Sequence, residues 1–174
     1  MSAGRRPEER IRRTAERLRR ACGSGRPGAL AEYLCVPVRY FPLGGLDGFY
    51  TVLLGQPFIA LHEDLEPGLE AAVLAHELGH HLLHRTLADG SLLLTDYGLF
   101  LKENRLEYEA NVFACHFLIP DDAVRGILPE VPPPGGPQDP GQPVIDLSSS
   151  AARLGVPPEL LKLKLTLAFP HVLQ

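Results

Sequence analysis

The stretch from Leu69 to His84, LEAAVLAHELGHHLLH, constrains this chain more than any other. Apolar residues recur there at helical spacing, so the segment from Gly68 onward is predicted to be a helix, and four histidines and Glu77 ride on it. Within it, His76-Glu77-Leu78-Gly79-His80 reads HExxH. Residues four apart lie one turn up the same helix face, so both imidazoles can reach one ion. Glu77 stands about 100° round the helix from His76, poorly placed as a further ligand but well placed to hold a water beside the ion. Seven His and thirteen Glu scattered at random over 174 residues would produce this pattern about 0.02 times, so chance is a poor explanation.

A catalytic zinc takes three protein ligands and leaves its fourth position to water, so another element must supply the third. A second helix is predicted from about Lys102 to Leu118, stopped by Pro120, and it offers Glu103, Glu107 and Glu109. Leu106, Ala110, Phe113, Ala114 and Phe117 centre its apolar face. Glu107 lies about 60° from that centre and Glu109 about 100° away on the other side. The wheel favours Glu107 as the inward-facing ligand, and a solvated position suits Glu109 and Glu103 better. Asn111 and Cys115 continue a polar strip from Glu107 that could orient the histidines. His84 lies two turns beyond His76 on the same side, where it either flanks the ion or favours the helix end by its partial charge; the second reading is preferred. His81 extends the same cluster, and His116 sits opposite the ligand strip as a surface or core residue. Tyr97 and Tyr108 are candidates for stabilising a transition state, although a tyrosine more often packs.

With 45% hydrophobic residues, 174 positions suffice for one sizeable core, and residues 1–174 are expected to form a single domain. Ile11, Ala15, Leu18 and Cys22 form one stripe of a basic N-terminal helix, within residues 1–28, that starts near Pro7. A short helix, Ala29 to Leu34, precedes three short strands at Val36 to Phe41, Gly48 to Leu54 and Pro57 to Leu61, read as a small antiparallel sheet. Residues 86–102 form a connector with a possible strand at Ser91 to Thr95. Asp121 suits the N-cap of a short helix ending near Leu128. Residues 129–143 carry seven prolines and three glycines, the composition of a stiff extended loop. Residues 146–169 read as a helical pair joined at Gly155, with Pro157 at a first helical position. The pair faintly resembles a helix-turn-helix but is read as a cap on the core. The fold class is α+β: a small sheet, two site-bearing helices packed on it, and flanking terminal helices.

Residues 1–30 hold nine Arg against three Glu, and the remainder holds eight basic against eighteen acidic residues. The arginines read as the solvated faces of a docked helix, and the acidic remainder argues against nucleic acid as the main partner. No apolar run approaches the length of a membrane span, and the N-terminus MSAGRRPEER lacks a secretory apolar stretch, so a cytoplasmic protein without a membrane partner is expected. Cys22, Cys35 and Cys115 are odd in number and form no CxxC pair, which suits a reducing compartment and small buried hydrophobes.

The strings VLAHELGHHLLH and LEYEANVFACHFLIP resemble the two signatures of the ImmA/IrrE family of zinc metallopeptidases. In that family a HExxH helix is followed about thirty residues later by ExxANxFAxxLLxP. Glu107, Ala110, Asn111, Phe113, Ala114, Leu118 and Pro120 fall on the second pattern, and the two motifs span residues 72–120. HFLIP departs from the usual text there, which touches packing but no ligand. The resemblance implies a zincin-like fold with His76, His80 and Glu107 as Zn2+ ligands and Glu77 as catalytic base. It also implies a regulatory metalloendopeptidase that cleaves or antagonises a helix-turn-helix transcriptional repressor in stress responses or mobile elements. Zinc would activate water and polarise a peptide carbonyl while Glu77 moves the proton to the leaving amine. Two rivals stand beside this: a non-catalytic zinc-containing binding module, which an intact Glu77 argues against, and a nucleic-acid-binding regulator using the arginine helix and terminal pair. No appended DNA-binding domain is apparent.

Overall fold

The computed structural model describes residues 7–88, 94–95, 105–128 and 146–170. Among them lie α1 (Pro7–Ala21), α2 (Pro27–Tyr33), β1 (Val38–Phe41), β2 (Gly48–Leu53), β3 (Gln56–His62), α3 (Pro67–Ala88), β4 (Leu94–Thr95), α4 (Arg105–Leu118), α5 (Asp121–Arg125), α6 (Leu147–Leu154) and α7 (Pro158–Ala168). Glu103, Tyr97 and the Pro-rich loop at 129–143 fall outside the described residues, as does most of the Ser91 to Thr95 strand.

The strands form one sheet in the order β1-β3-β2-β4. β2 and β3 make an antiparallel hairpin in which Tyr50 faces Ile59 and Leu53 faces Gln56. Leu54 and Gly55 close it at φ 51° and 76°, the left-handed pair that a twisted two-residue hairpin turn needs. β4 adds antiparallel to β2, but β1 pairs parallel with β3, from Val38↔Ile59 to Phe41↔His62. The sheet is therefore mixed, where antiparallel pairing throughout is the sequence expectation. Ile59, Ala60 and Leu61 are all buried, so β3 has apolar side chains for both faces and takes the interior place between β1 and β2. The chain from 42 to 55, which includes β2, supplies the crossover that a parallel pair requires.

Tyr50, Val52, Ile59 and Leu61 line the face on which α3 rests through Val73, Leu74 and Leu78. A Cβ at Gly48 would stand 2.8 Å from Val73 Cγ1, which is how closely helix and strand approach. The opposite side of α3 carries Ala72 and Ala75 into a second apolar cluster with Ala114 and Cys115 of α4 and Leu160, Leu161 and Leu165 of α7. The α6–α7 pair thus caps the core, as expected from its sequence. α6 is capped by Asp146, whose carboxylate accepts from the backbone N–H of Ser148 and Ser149, and it stops at left-handed Gly155.

α4 is buried at every residue from Ala110 to Phe117, because α1 covers the side that α3 and α7 leave open. Ile11, Ala15 and Leu18 make that contact, and full burial of Phe113 and Phe117 is worth about 1.5–3 kcal/mol each. Arg19 departs from the solvated role: its guanidinium donates to the Phe117 carbonyl at 2.7 Å, at the end of α4 where carbonyls lack helical partners. The N-cap of α5 is Pro120 rather than Asp121, and α5 ends at Arg125. Asp121 instead accepts from the buried Lys164 ammonium at 2.6 Å. Pro157 is the N-cap of α7 and Pro158 its first residue. Of the three cysteines expected to be buried only Cys115 is: Cys22 is half-buried, and Cys35 is exposed in the bend leaving α2, at φ 54°. No helix among the described residues is long and apolar enough to cross a membrane.

Candidate metal centre

α3 presents His76 and His80 one turn apart, with relative exposures of 0% and 1%, and both aim Nε2 at the same point. Their Nε2 atoms are 3.0 Å apart. Glu107, from the first turn of α4, brings Oε2 to 3.1 Å from His76 Nε2 and 3.4 Å from His80 Nε2. The three can hold a metal ion, and among the described residues theirs is the one such group of His, Cys, Asp or Glu. Tetrahedral coordination with bonds of about 2.0–2.1 Å sets ligand atoms about 3.3 Å apart, close to the spacing found. The Glu107 side chain retains 19% exposure while both rings are closed off, so solvent approaches from the Glu107 side. Glu77, on the adjoining flank of α3, is fully buried.

Protonation states suit a cation. Burial pushes His80 down to about 4, against the pull of Glu107, which keeps its ring neutral with a lone pair to give. In the metal-free chain burial would raise Glu107, but its contacts with the His76 and His80 rings outweigh it and hold the carboxyl well below its usual range; such a contact is a hydrogen bond only while a ring carries a proton on Nε2, the proton a bound cation would replace. His76 Nδ1 lies 2.9 Å from Asn111 Oδ1; with the ring's proton on Nδ1 it donates there and keeps the Nε2 lone pair directed at the ligand point. The polar strip expected from Glu107 is thus half present. Cys115 does not join it: its thiol is buried in the second cluster, donates to the Val112 carbonyl, and is pushed up to about 12 by burial.

Two residues for which the sequence reading prefers other roles stand next to the site. His84 Nδ1 lies 3.1 Å from His80 Nδ1, and α3 runs on to Ala88, so His84 does not end the helix. Glu109 is not a solvated carboxylate: its side chain is 16% exposed and bonds His84 Nε2 at 3.1 Å and Arg105 Nε at 2.7 Å. Burial opposes ionisation of Glu109, but the bonds from Arg105 and His84 prevail and lower its pKa. The signals for these residues were the i+4 step from His80 to His84 and the i+4 pair Arg105–Glu109. His81 points instead to the sheet, where its Nδ1 and the Tyr50 hydroxyl are 3.0 Å apart. Tyr108 packs on the first cluster, with its hydroxyl raised by burial and by Glu8 of α1. His116 is buried beside Lys164 on the far side of α4, and His62 accepts from the Asp64 backbone.

An α+β fold with two histidines a turn apart on a central helix and a glutamate from the next helix is the zincin-like arrangement of metallopeptidases. The chain belongs to the IrrE N-terminal-like domain family, Peptidase_M78, whose sequence model matches residues 31–166. It is also 29% identical over 116 residues to the "Uncharacterized immunity region protein 2" of Bacillus phage phi105, an alignment covering 66% of this chain and 72% of the phage protein.

Proposed function

We propose that this protein is a zinc-dependent endopeptidase with a regulatory role, in which His76, His80 and Glu107 hold the metal and Glu77 is the general base. The convergence of His76 Nε2, His80 Nε2 and Glu107 Oε2, all within 4.8 Å of one another, carries the reading. Two imidazoles and a carboxylate suit zinc, and three protein ligands leave one position for water or substrate. Bound there, zinc supplies Lewis-acid activation of water and of the scissile carbonyl. Glu77 takes the proton from the attacking water and returns it to the leaving amine. Burial of Glu77 keeps competing solvent from its carboxylate. Asn111 fixes the His76 ring so that Nε2 stays directed at the ligand point.

The protein substrate we infer is a helix-turn-helix repressor, acted on in the cytoplasm. Membership of a peptidase family supports a protein substrate, and likeness to a phage immunity-region protein supports a regulatory one. The test pairs the purified protein with small helix-turn-helix repressors encoded beside it. Wild type should cut one of them and leave casein largely intact, while Glu77→Gln keeps its zinc and cuts nothing. Cleavage by Glu77→Gln at the wild-type rate would remove the base assignment. Efficient digestion of casein would remove the regulatory reading and leave the peptidase.

A further inference from the structure

Beyond the three ligands, α3 and α4 share a second set of contacts, and it begins at the back of His80. His80 Nδ1 meets His84 Nδ1 at 3.1 Å, His84 Nε2 meets Glu109 Oε2 at 3.1 Å, and Glu109 Oε1 accepts from Arg105 Nε at 2.7 Å. We propose that His84 and Glu109, steadied by Arg105, are positioning residues that set the tautomer and ring orientation of His80. The proposal rests on His80 being a metal ligand through Nε2.

Only one arrangement of protons makes every link a hydrogen bond while His80 Nε2 keeps its lone pair. His80 then carries its proton on Nδ1 and donates it to His84 Nδ1. With that nitrogen accepting, neutral His84 holds its own proton on Nε2 and donates to Glu109. Glu109 is acceptor-only as a carboxylate, so it cannot reverse the direction, and its second oxygen is occupied by the Arg105 guanidinium. The opposite polarity would put a proton on His80 Nε2, between the atoms that converge on the ligand point. His80 and His84 are 1% and 3% exposed, so water cannot substitute for these links.

The two ligand histidines are therefore held differently. His76 donates to the neutral amide oxygen of Asn111, whereas His80 is tied through a second imidazole to an ionic pair. A carboxylate behind a ligand imidazole raises its basicity and fixes its direction, and loss of such a partner typically weakens metal binding about 10–100-fold.

Zinc affinity measured by competition with a chromophoric chelator tests the proposal on the full chain, alongside melting of the metal-free protein and the visible spectrum of the cobalt-substituted form. Glu109→Leu should weaken zinc about tenfold or more. Glu109→Gln, whose amide oxygen still accepts from His84, should fall between it and wild type. His84→Leu should weaken zinc and shift the cobalt bands, and the double variant His84→Leu/Glu109→Leu should lose no more than His84→Leu alone, because one chain is broken once. If His84→Leu fails to fold, the Glu109 pair still decides. Zinc bound with wild-type affinity by both Glu109 variants, while Glu107→Gln loses it, would overturn the relay alone. Additive losses in the double variant would overturn it too. A wild-type chain that takes up no zinc would overturn both the relay and the ligand set beneath it.

Discussion

Gly79 of α3 lies so close to Ala110 of α4 that a β-carbon added at 79 would stand 3.0 Å from the Ala110 Cα, 3.1 Å from its carbonyl oxygen and 3.3 Å from its Cβ. The missing side chain brings the two helix backbones together one residue before His80. Side chains then reach across from both flanks of the seam, Glu107 to His76 and His80, and Glu109 to His84. The glycine inside HELGH is thus a packing residue for the candidate metal centre, even though glycine weakens a helix interior by about 1 kcal/mol relative to alanine.

Gly79→Ala should therefore destabilise the protein despite its gain in helix propensity. The obstructing atoms are backbone and one β-carbon, none of which can rotate away, so overpacking of about 1–3 kcal/mol should exceed that gain. Urea unfolding checks the stability, and chelator competition should show weaker zinc binding as Glu107 is pushed off. A variant more stable than wild type with unchanged zinc affinity would show that the seam is slack.

Purified wild type should contain about one zinc per chain by elemental analysis. His80→Ala and Glu107→Gln should lose most of it, each removing one of three ligands, and His116→Gln, on the far side of α4, should retain it. Retention of full zinc by Glu107→Gln would transfer the third-ligand role elsewhere.

Acid should destabilise the metal-free protein through His116. Burial first, and the Lys164 ammonium beside it, push this imidazole from 6.5 down to about 3. Between those values the unfolded chain binds a proton that the folded chain does not, so stability falls as pH falls from about 6.5 towards 3. This group contributes a slope approaching about 1.4 kcal/mol per pH unit. Asp121, whose pKa is lowered because the Lys164 hydrogen bond and charge outweigh its burial, adds a loss of the same sign at the acid end. Unfolding measured at pH 7 and pH 5 should show the drop, and it should shrink in His116→Gln. An equal drop in that variant would move the cause to other groups.

Leu54→Asn should stabilise the hairpin. Leu54 sits at φ 51° and is fully exposed, so it bears the left-handed strain of the turn and buries nothing in return. Asparagine tolerates that region and suits the turn with Gly55, and a gain of about 0.5–1 kcal/mol is expected from chemical denaturation. A loss would mean that the Leu54 side chain is covered in solution.

How much could be read before folding divides along physical lines. The α3 helix, the one-turn spacing of His76 and His80 and the stop at Gly155 depend on neighbours a few residues away, and the sequence by itself determined them, whereas Leu54, read as the end of a strand, belongs to the hairpin turn. Helical periodicity also singled out Glu107, since an angle about one helix axis needs no partner. Distance between two helices is not a property of either one, and there the wheel failed: it left Glu109 in water because it could not know that Gly79 and Ala110 bring α4 within reach of His84. The same limit hid the parallel pairing of β1 with β3, the burial of Lys164 against Asp121, and Arg19 closing the end of α4. Each joins segments separated by at least twenty residues, and only the packed chain brings their atoms together.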